Sequence, residues 1–262
     1  MRRSVLLLIT ILAGWTVAKA VPQAGSANSP ATMPAASDSK IGASAIWQPP
    51  QDFLNKAHSV CEQGAGPASF DQCFMNQIAG AGAPAAAVSF TRMLYQQNGG
   101  LVGIMTAFKP GAPVGVAQVF YPLRANDNYA LLLVNGDPKI LDVDDLQKLD
   151  RTAMEQDPMF RSVKQRFTQA DVWPADHSGS DSWPRVQPLP AGGTEFIVSY
   201  RLINGCHACQ PVGVARFGWD FDASGKFLRT VFIPTPPPPK LMRPTRQPQA
   251  PPAPPTTPPP QQ

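Results

Sequence analysis

The chain reads as an α+β protein built from two similar units, each a helical stretch followed by a three-stranded antiparallel meander, packed as one domain. Three observations predict this. The pentapeptide Pro113-Val114-Gly115-Val116-Ala117 returns as Pro211-Val212-Gly213-Val214-Ala215. Each copy follows an alternating strand-like run, Leu101 to Phe108 or Glu195 to Leu202, and precedes a polar turn and a further strand. Each unit also opens on a helical stretch broken by an X-Pro step, Ala83-Pro84 or Asp157-Pro158. Matching flanks in matching order point to one supersecondary unit used twice, with halves at about 68–141 and 142–233.

The first helix is set by Phe53, Leu54, Ala57, Val60 and Cys61, which recur at helical spacing after Pro49-Pro50. Ser69, with Gln72 three residues on, resembles a capping box and leads into Phe70, Phe74 and Ile78. Pro84 suits the first turn of a third helix carrying Val88, Phe90 and Leu94, which Asn98-Gly99-Gly100 would end. Strands follow at Leu101–Phe108, Val114–Tyr121 and Tyr129–Val134, with Asn135-Gly136 as a turn. Asp142, Asp144 and Asp145 read as caps of a helix through Leu146, Leu149, Ala153 and Met154, interrupted by Asp157-Pro158. Phe160, Val163 and Phe167 continue on a new helix. Gln169 to Gly193 reads as irregular, anchored over the sheet by Trp173 and Trp183. The second strand set is Glu195–Leu202, Val212–Phe221 and Lys226–Ile233; Phe196, Val198, Tyr200 and Leu202 alternate with polar residues, as one buried sheet face requires.

The two ends differ in composition from this core. Arg2 and Arg3, the apolar run Val5 to Leu12 and the small residues around Ala18-Lys19-Ala20 have the layout of a signal peptide over residues 1–20. Its apolar core is shorter than the ~20 residues a bilayer span needs, so no stable membrane anchor is expected after cleavage. No cysteine follows the cleavage site, which argues against lipidation there. The expected destination is the periplasm or the exterior. Residues 21–44 are Ala/Ser/Pro/Gly-rich and read as a disordered linker, and residues 234–262, roughly half proline, as an extended disordered tail.

In an oxidising compartment, four cysteines suggest disulfides. Of the three possible connectivities, sequence proximity favours Cys61 with Cys73 and Cys206 with Cys209. The formal charge of +4 is carried by the ends. Of the 22 basic residues, Arg2, Arg3, Lys19, Lys40, Lys240, Arg243 and Arg246 lie outside 45–233, leaving 15; only Asp38 of the 18 acidic residues lies outside, leaving 17. A near-neutral core gives no reason to expect nucleic acid as a partner.

Chemistry-bearing motifs are few. The sequence holds no G-x-S-x-G, no H-E-x-x-H and no Gly-rich phosphate loop. His58 and His177 read as solvated surface residues, and no metal or cofactor is implied. Cys206-His207-Ala208-Cys209 is the one loaded segment. It lies between two strands rather than at a helix N-terminus, which removes the dipole that activates thioredoxin-type thiols. A structural bridge, a redox pair and a rigid presented loop all remain open readings; zinc is disfavoured, because only two thiolates and one histidine are at hand.

In order, the elements resemble the Ivy family, periplasmic inhibitors of vertebrate-type lysozyme whose disulfide-tied C-K-P-H-D-C loop enters the lysozyme cleft. The helix from Phe70 leads through Gly80-Ala81-Gly82-Ala83-Pro84-Ala85, and Lys109-Pro110 fall on the K-P of that loop, with Phe108 and Pro113 at its cysteine positions. In the second half, Cys206, His207 and Cys209 supply the bridge and histidine, with two intervening residues instead of four. The resemblance implies a non-catalytic binding protein whose partner is an envelope or extracellular protein such as a lysozyme-like enzyme. Its contacts would be Lys109, Pro110 and Gly111 in one loop and Asn204, Gly205 and His207 in the other. The alternative is an enzyme, either a thiol–disulfide protein using Cys206 and Cys209 or an unrecognised hydrolase.

Overall fold

The computed structural model describes residues 40–64 and 69–234. The signal peptide, most of the linker and the tail beyond Pro234 lie outside the described residues. Among the described residues, no helix is long and apolar enough to cross a membrane.

Three helices come first. Helix α1 (Phe53–Gly64) buries Phe53, Ala57 and Cys61, one stripe at four-residue spacing. Helix α2 (Phe70–Gly80) starts where expected, Ser69 Oγ accepting from Gln72 N at 3.2 Å. The box is only half made, because the Gln72 side chain turns to Asn76. Cys61 is bonded to Cys73, tying α1 to α2 with their Cα atoms 5.6 Å apart. Helix α3 (Ala85–Gln97) has Pro84 as its N-cap and buries Phe90, Met93 and Leu94.

The first sheet is a plain meander of β1 (Ile104–Lys109), β2 (Gly115–Phe120), β3 (Tyr129–Val134) and β4 (Ile140–Asp142), all antiparallel neighbours. Strand β1 begins three residues later than expected. The Gly103 carbonyl is taken by Thr91 Oγ1 at 2.9 Å, and a Cβ on Gly103 would strike Leu94 and Val119, so this stretch docks α3 instead of joining the ladder. Both faces of this sheet are covered. Ala117, Val119, Ala130, Leu132 and Val134 meet α3, while Val116, Leu131 and Leu133 meet the second sheet.

The expected single helix through Leu146–Met154 is instead a 3-10 turn at Leu146–Lys148 and the short α4 (Thr152–Gln156). Thr230 Oγ1 donates to the Lys148 carbonyl and accepts from Asp150 N, which pins the break between them. Helix α5 (Pro158–Arg166) follows, with Asp157 Oδ1 accepting from Phe160 N and Pro158 at its first position.

The second sheet holds β5 (Ala170–Trp173), β6 (Arg185–Pro188), β7 (Thr194–Asn204), β8 (Pro211–Phe221) and β9 (Phe227–Phe232). Gln169–Gly193 is therefore not wholly irregular. Strands β5 and β6 pair with opposite ends of one edge of β7, and the stretch between them spans the middle of that edge. Helices, first sheet and second sheet thus form three layers. Between the sheets lie Val116, Leu133, Tyr200, Phe217 and Trp219, with Met154 and Phe160 packed against the same core.

Both copies of the repeated pentapeptide lead into the middle strand of a meander, in the same register. Lys109 pairs with Val116 as Arg201 pairs with Val214, and Phe108 with Ala117 as Tyr200 with Ala215. The faces they present to the inter-sheet core differ: Val116 points into it in the first sheet, Ala215 in the second. Val214 is accordingly exposed.

Described residues ahead of Ala45 already pack on the domain, contrary to the expected linker boundary. Ile41 is buried, and its N–H and carbonyl bond to the Asn135 side chain at 2.7 and 2.8 Å. Ile41, gripped from both backbone groups, joins Ala45 in the cluster around Phe90 and Leu94, which holds this segment on the domain.

Candidate binding surface

Strands β7 and β8 form the longest hairpin, and its tip carries Cys206-His207-Ala208-Cys209. Gly205 sits at φ +92°, where a side chain would be strained, and the Cys209 N–H closes a turn onto the Cys206 carbonyl at 2.9 Å. Cys206 is bonded to Cys209. Asn204 Oδ1 accepts from Gln169 N at 3.0 Å, fixing the root of the tip to the segment before β5.

The β2–β3 turn holds the tip from the side. Asp127 adopts φ +47°, a left-handed conformation that aspartate tolerates, and the Asn128 side chain closes the turn onto the Tyr121 and Arg124 carbonyls. The Asp127 carboxylate bonds His207 Nε2 and accepts from Arg201 at 3.1 and 3.2 Å. Arg201 also donates from Nε to the Pro174 carbonyl at 2.7 Å, and the Trp173 ring meets His207 edge-on at 5.4 Å. With about a third of its side chain exposed (34%), His207 stays reachable while its orientation is fixed.

His177 contradicts the expectation of a solvated residue. Its side chain is 1% exposed, with Nε2 3.0 Å from Asp144 Oδ1, and its carbonyl accepts from Gln118 Nε2 at 2.5 Å. Gln118 interrupts the apolar run of β2, and its Oε1 accepts from Thr106. That interruption was a signal available in the sequence: a polar side chain on a strand buried on both faces needs a partner from elsewhere. Asp144 is therefore a partner for His177 and not a helix cap. Only Asp145 caps as expected, accepting from Gln147 N at 3.2 Å. His58 lies on the surface beside Glu62, as expected.

Asp142 accepts from Asp144 N at 2.9 Å, and burial, followed by the Asp144 charge, pushes its carboxyl up to about 7. Unfolded, the same group releases its proton near 3.8. Between those values the folded chain binds more protons, so this group's contribution to stability falls as pH rises through the window and levels off above about 7. Asp142→Asn keeps an acceptor for Asp144 N. The variant should flatten the stability slope over that window and be more stable at about pH 8 by on the order of 1–2 kcal/mol. Urea unfolding of both proteins across the range checks this.

The two loops expected to share one partner are not brought together. Lys109 Nζ lies 4.5 Å over the Trp183 ring, and Pro110, Gly111 and Ala112 line a small pocket with Trp183, Val186 and Thr194. A Cβ on Gly111 would lie 1.8 Å from the Val114 carbonyl oxygen, so this loop is close-packed on itself. Thr194 and Asn204 are the two ends of β7, roughly 33 Å apart at the rise of an extended strand. Lys109, Pro110 and Gly111 therefore occupy one end of the sandwich, and Asn204, Gly205 and His207 the other.

Among the described residues, no group of three or more His, Cys, Asp or Glu side chains is placed to hold a metal ion. The fold and this surface define the chain as an α+β protein of two packed antiparallel sheets with a disulfide-tied hairpin tip. Comparison with protein-family models, with curated proteins and with solved structures finds no match.

Proposed function

We propose that the chain is an exported, non-catalytic binding protein of the cell envelope, and that it engages its partner with the tip of the β7–β8 hairpin. The observation that carries this reading is the bracing of Cys206–Cys209: a disulfide, the Asp127 bond to His207, and Asp127 tied in turn by Arg201. A tip ordered before contact loses little further conformational entropy on binding. His207 Nδ1 takes no part in the Asp127 bond, so that nitrogen is the group assigned to the partner.

A lysozyme-type glycosidase is the proposed partner. The Ivy-like order of elements supports it, and so does the chemistry, since such clefts carry an acidic pair that a histidine can meet. Lys109 is removed from the contact set, because it is committed to Trp183 at the far end. Titration of the chain into muramidase assays with several lysozyme types tests this. Inhibition is expected, weakened at least about tenfold by His207→Ala and unchanged by Lys109→Ala. No inhibition of any type removes the glycosidase partner, and full inhibition by His207→Ala removes the hairpin from the interface.

A further inference from the structure

The outer face of the second sheet carries a separate feature. Strands β5 and β6 leave the middle of the β7 edge uncovered by a strand, and residues 174–184 arch over the gap. Beneath the arch is a cleft of about 620 Å³, in the size range of small-molecule sites. Its floor is Ile197 and Ser199 of β7, flanked by Arg185 of β6 and Arg216 of β8. Arg185 pairs in register with Ile197 and Arg216 with Ser199. The two arginine Cα atoms are then roughly 12 Å apart, two strand spacings across and two residues along, which lets both side chains reach one ligand.

Charge pairing singles these two arginines out. Each strand from β6 to β9 carries one arginine, and Arg201 and Arg229 are ion-paired with Asp127 and Asp220. Among the described residues, Arg185 and Arg216 have no such partner, and both line the cleft. The acids of the cleft are already engaged: Asp176 Oδ1 accepts from Ser178 N at 2.9 Å, and Asp181 has contacts of its own. The wall thus carries two carboxylates beside the two guanidinium groups, with Asp176 Oδ1 fixed by a backbone N–H and both arginine heads left without an ion pair among the described residues. Around them stand the hydroxyls of Ser178, Ser182 and Ser199 and the indole of Trp183.

We infer that this cleft is a binding site for a small carboxylate-bearing sugar, held by Arg185 and Arg216 at its acid group. Guanidinium groups match a carboxylate in a planar fork, which fixes one end of the ligand. The serine hydroxyls and the second Asp176 oxygen supply partners for ring hydroxyls, and Trp183 offers an apolar surface to the ring. A bare inorganic anion would use the arginines alone and leave the rest of the wall without a role. The site is independent of the hairpin tip and of any glycosidase partner.

Calorimetric titration of the full chain with glucuronic acid and N-acetylmuramic acid tests it, with glucose and N-acetylglucosamine as neutral counterparts and inorganic phosphate as a competitor. At least one acid should bind, its neutral counterpart at least about tenfold more weakly, and the Arg185→Gln/Arg216→Gln variant should lose at least about tenfold in affinity for the acid. Both arginines are exposed, so the variant should keep its melting temperature, and the Trp183 indole N–H resonance should shift on binding to the unmodified chain only. The inference is overturned if neutral sugars match the acids, if the double variant binds them equally, if phosphate competes as well as the sugar acids, or if neither acid binds at about 10 mM.

Discussion

Trp219→Ala is expected to cost about 3–5 kcal/mol, because a large buried aromatic leaves a cavity that the surrounding sheets can only partly close. Trp219 is fully buried in β8, in the core shared by the two sheets, and its ring lies 5.7 Å from Phe227. The loss reaches beyond volume. Trp219 Nε1 donates to Tyr200 Oη at 3.1 Å, and Tyr200 Oη donates to the Val143 carbonyl at 2.7 Å. That relay runs from the second sheet to the segment following the first. Burial pushes the Tyr200 phenol upward, so it stays a neutral donor. Urea unfolding should show the drop, a melting temperature lower by about 6–20 °C for a domain of this size. A loss below about 1 kcal/mol would mean that the inter-sheet core is not where the stability resides. Tyr200→Phe retains the ring and removes the relay; it should cost about 1–3 kcal/mol by leaving two buried polar groups unpaired.

Removing the Cys61–Cys73 bridge should have the next largest effect. The bridge spans a separation of 12 residues, a loop whose closure is worth about 3 kcal/mol in the chain-entropy model. It joins α1 and α2, whose Phe53, Ala57, Phe74 and Ile78 form a cluster with Trp47 and with Val102 ahead of β1. The Cys61→Ala/Cys73→Ala variant should melt about 6–12 °C lower. Helical signal should be lost ahead of sheet signal, because that cluster is mainly helical. An unchanged melting temperature would show that helix packing alone holds the hairpin.

Much of this architecture was legible because periodicity and punctuation agree. Ser69, Pro84, Asp157-Pro158 and the alternation through Phe196–Leu202 mark elements that form as read. The repeated pentapeptide located two middle strands in one register, though not the face each would bury. That depends on which layer covers the sheet, a tertiary fact with no local signal. The strands β5 and β6 were missed because each is four residues long and is defined by pairing to β7, not by its own pattern. Leu146–Met154 read as one helix, but bonds from Thr230, some 80 residues away, divide it.

The candidate surface was half legible. Cys206 and Cys209 announced a tied tip, and their pairing follows from proximity. Asp127 gave no such signal: it lies in an ordinary polar turn, and only the stacking of one meander on the other brings it to His207. The same stacking carries the Lys109 loop to the opposite end of the sandwich, which linear order could not reveal.

The hairpin tip as the partner surface is tested most directly by hydrogen–deuterium exchange of the full chain, free and with a saturating amount of an inhibited lysozyme. New protection is expected at the amides of 204–210 and in the 124–128 turn that braces them, with none at 109–115. Protection confined to the Lys109 loop or to the outer face of β6–β8, or no change at the tip, would contradict it.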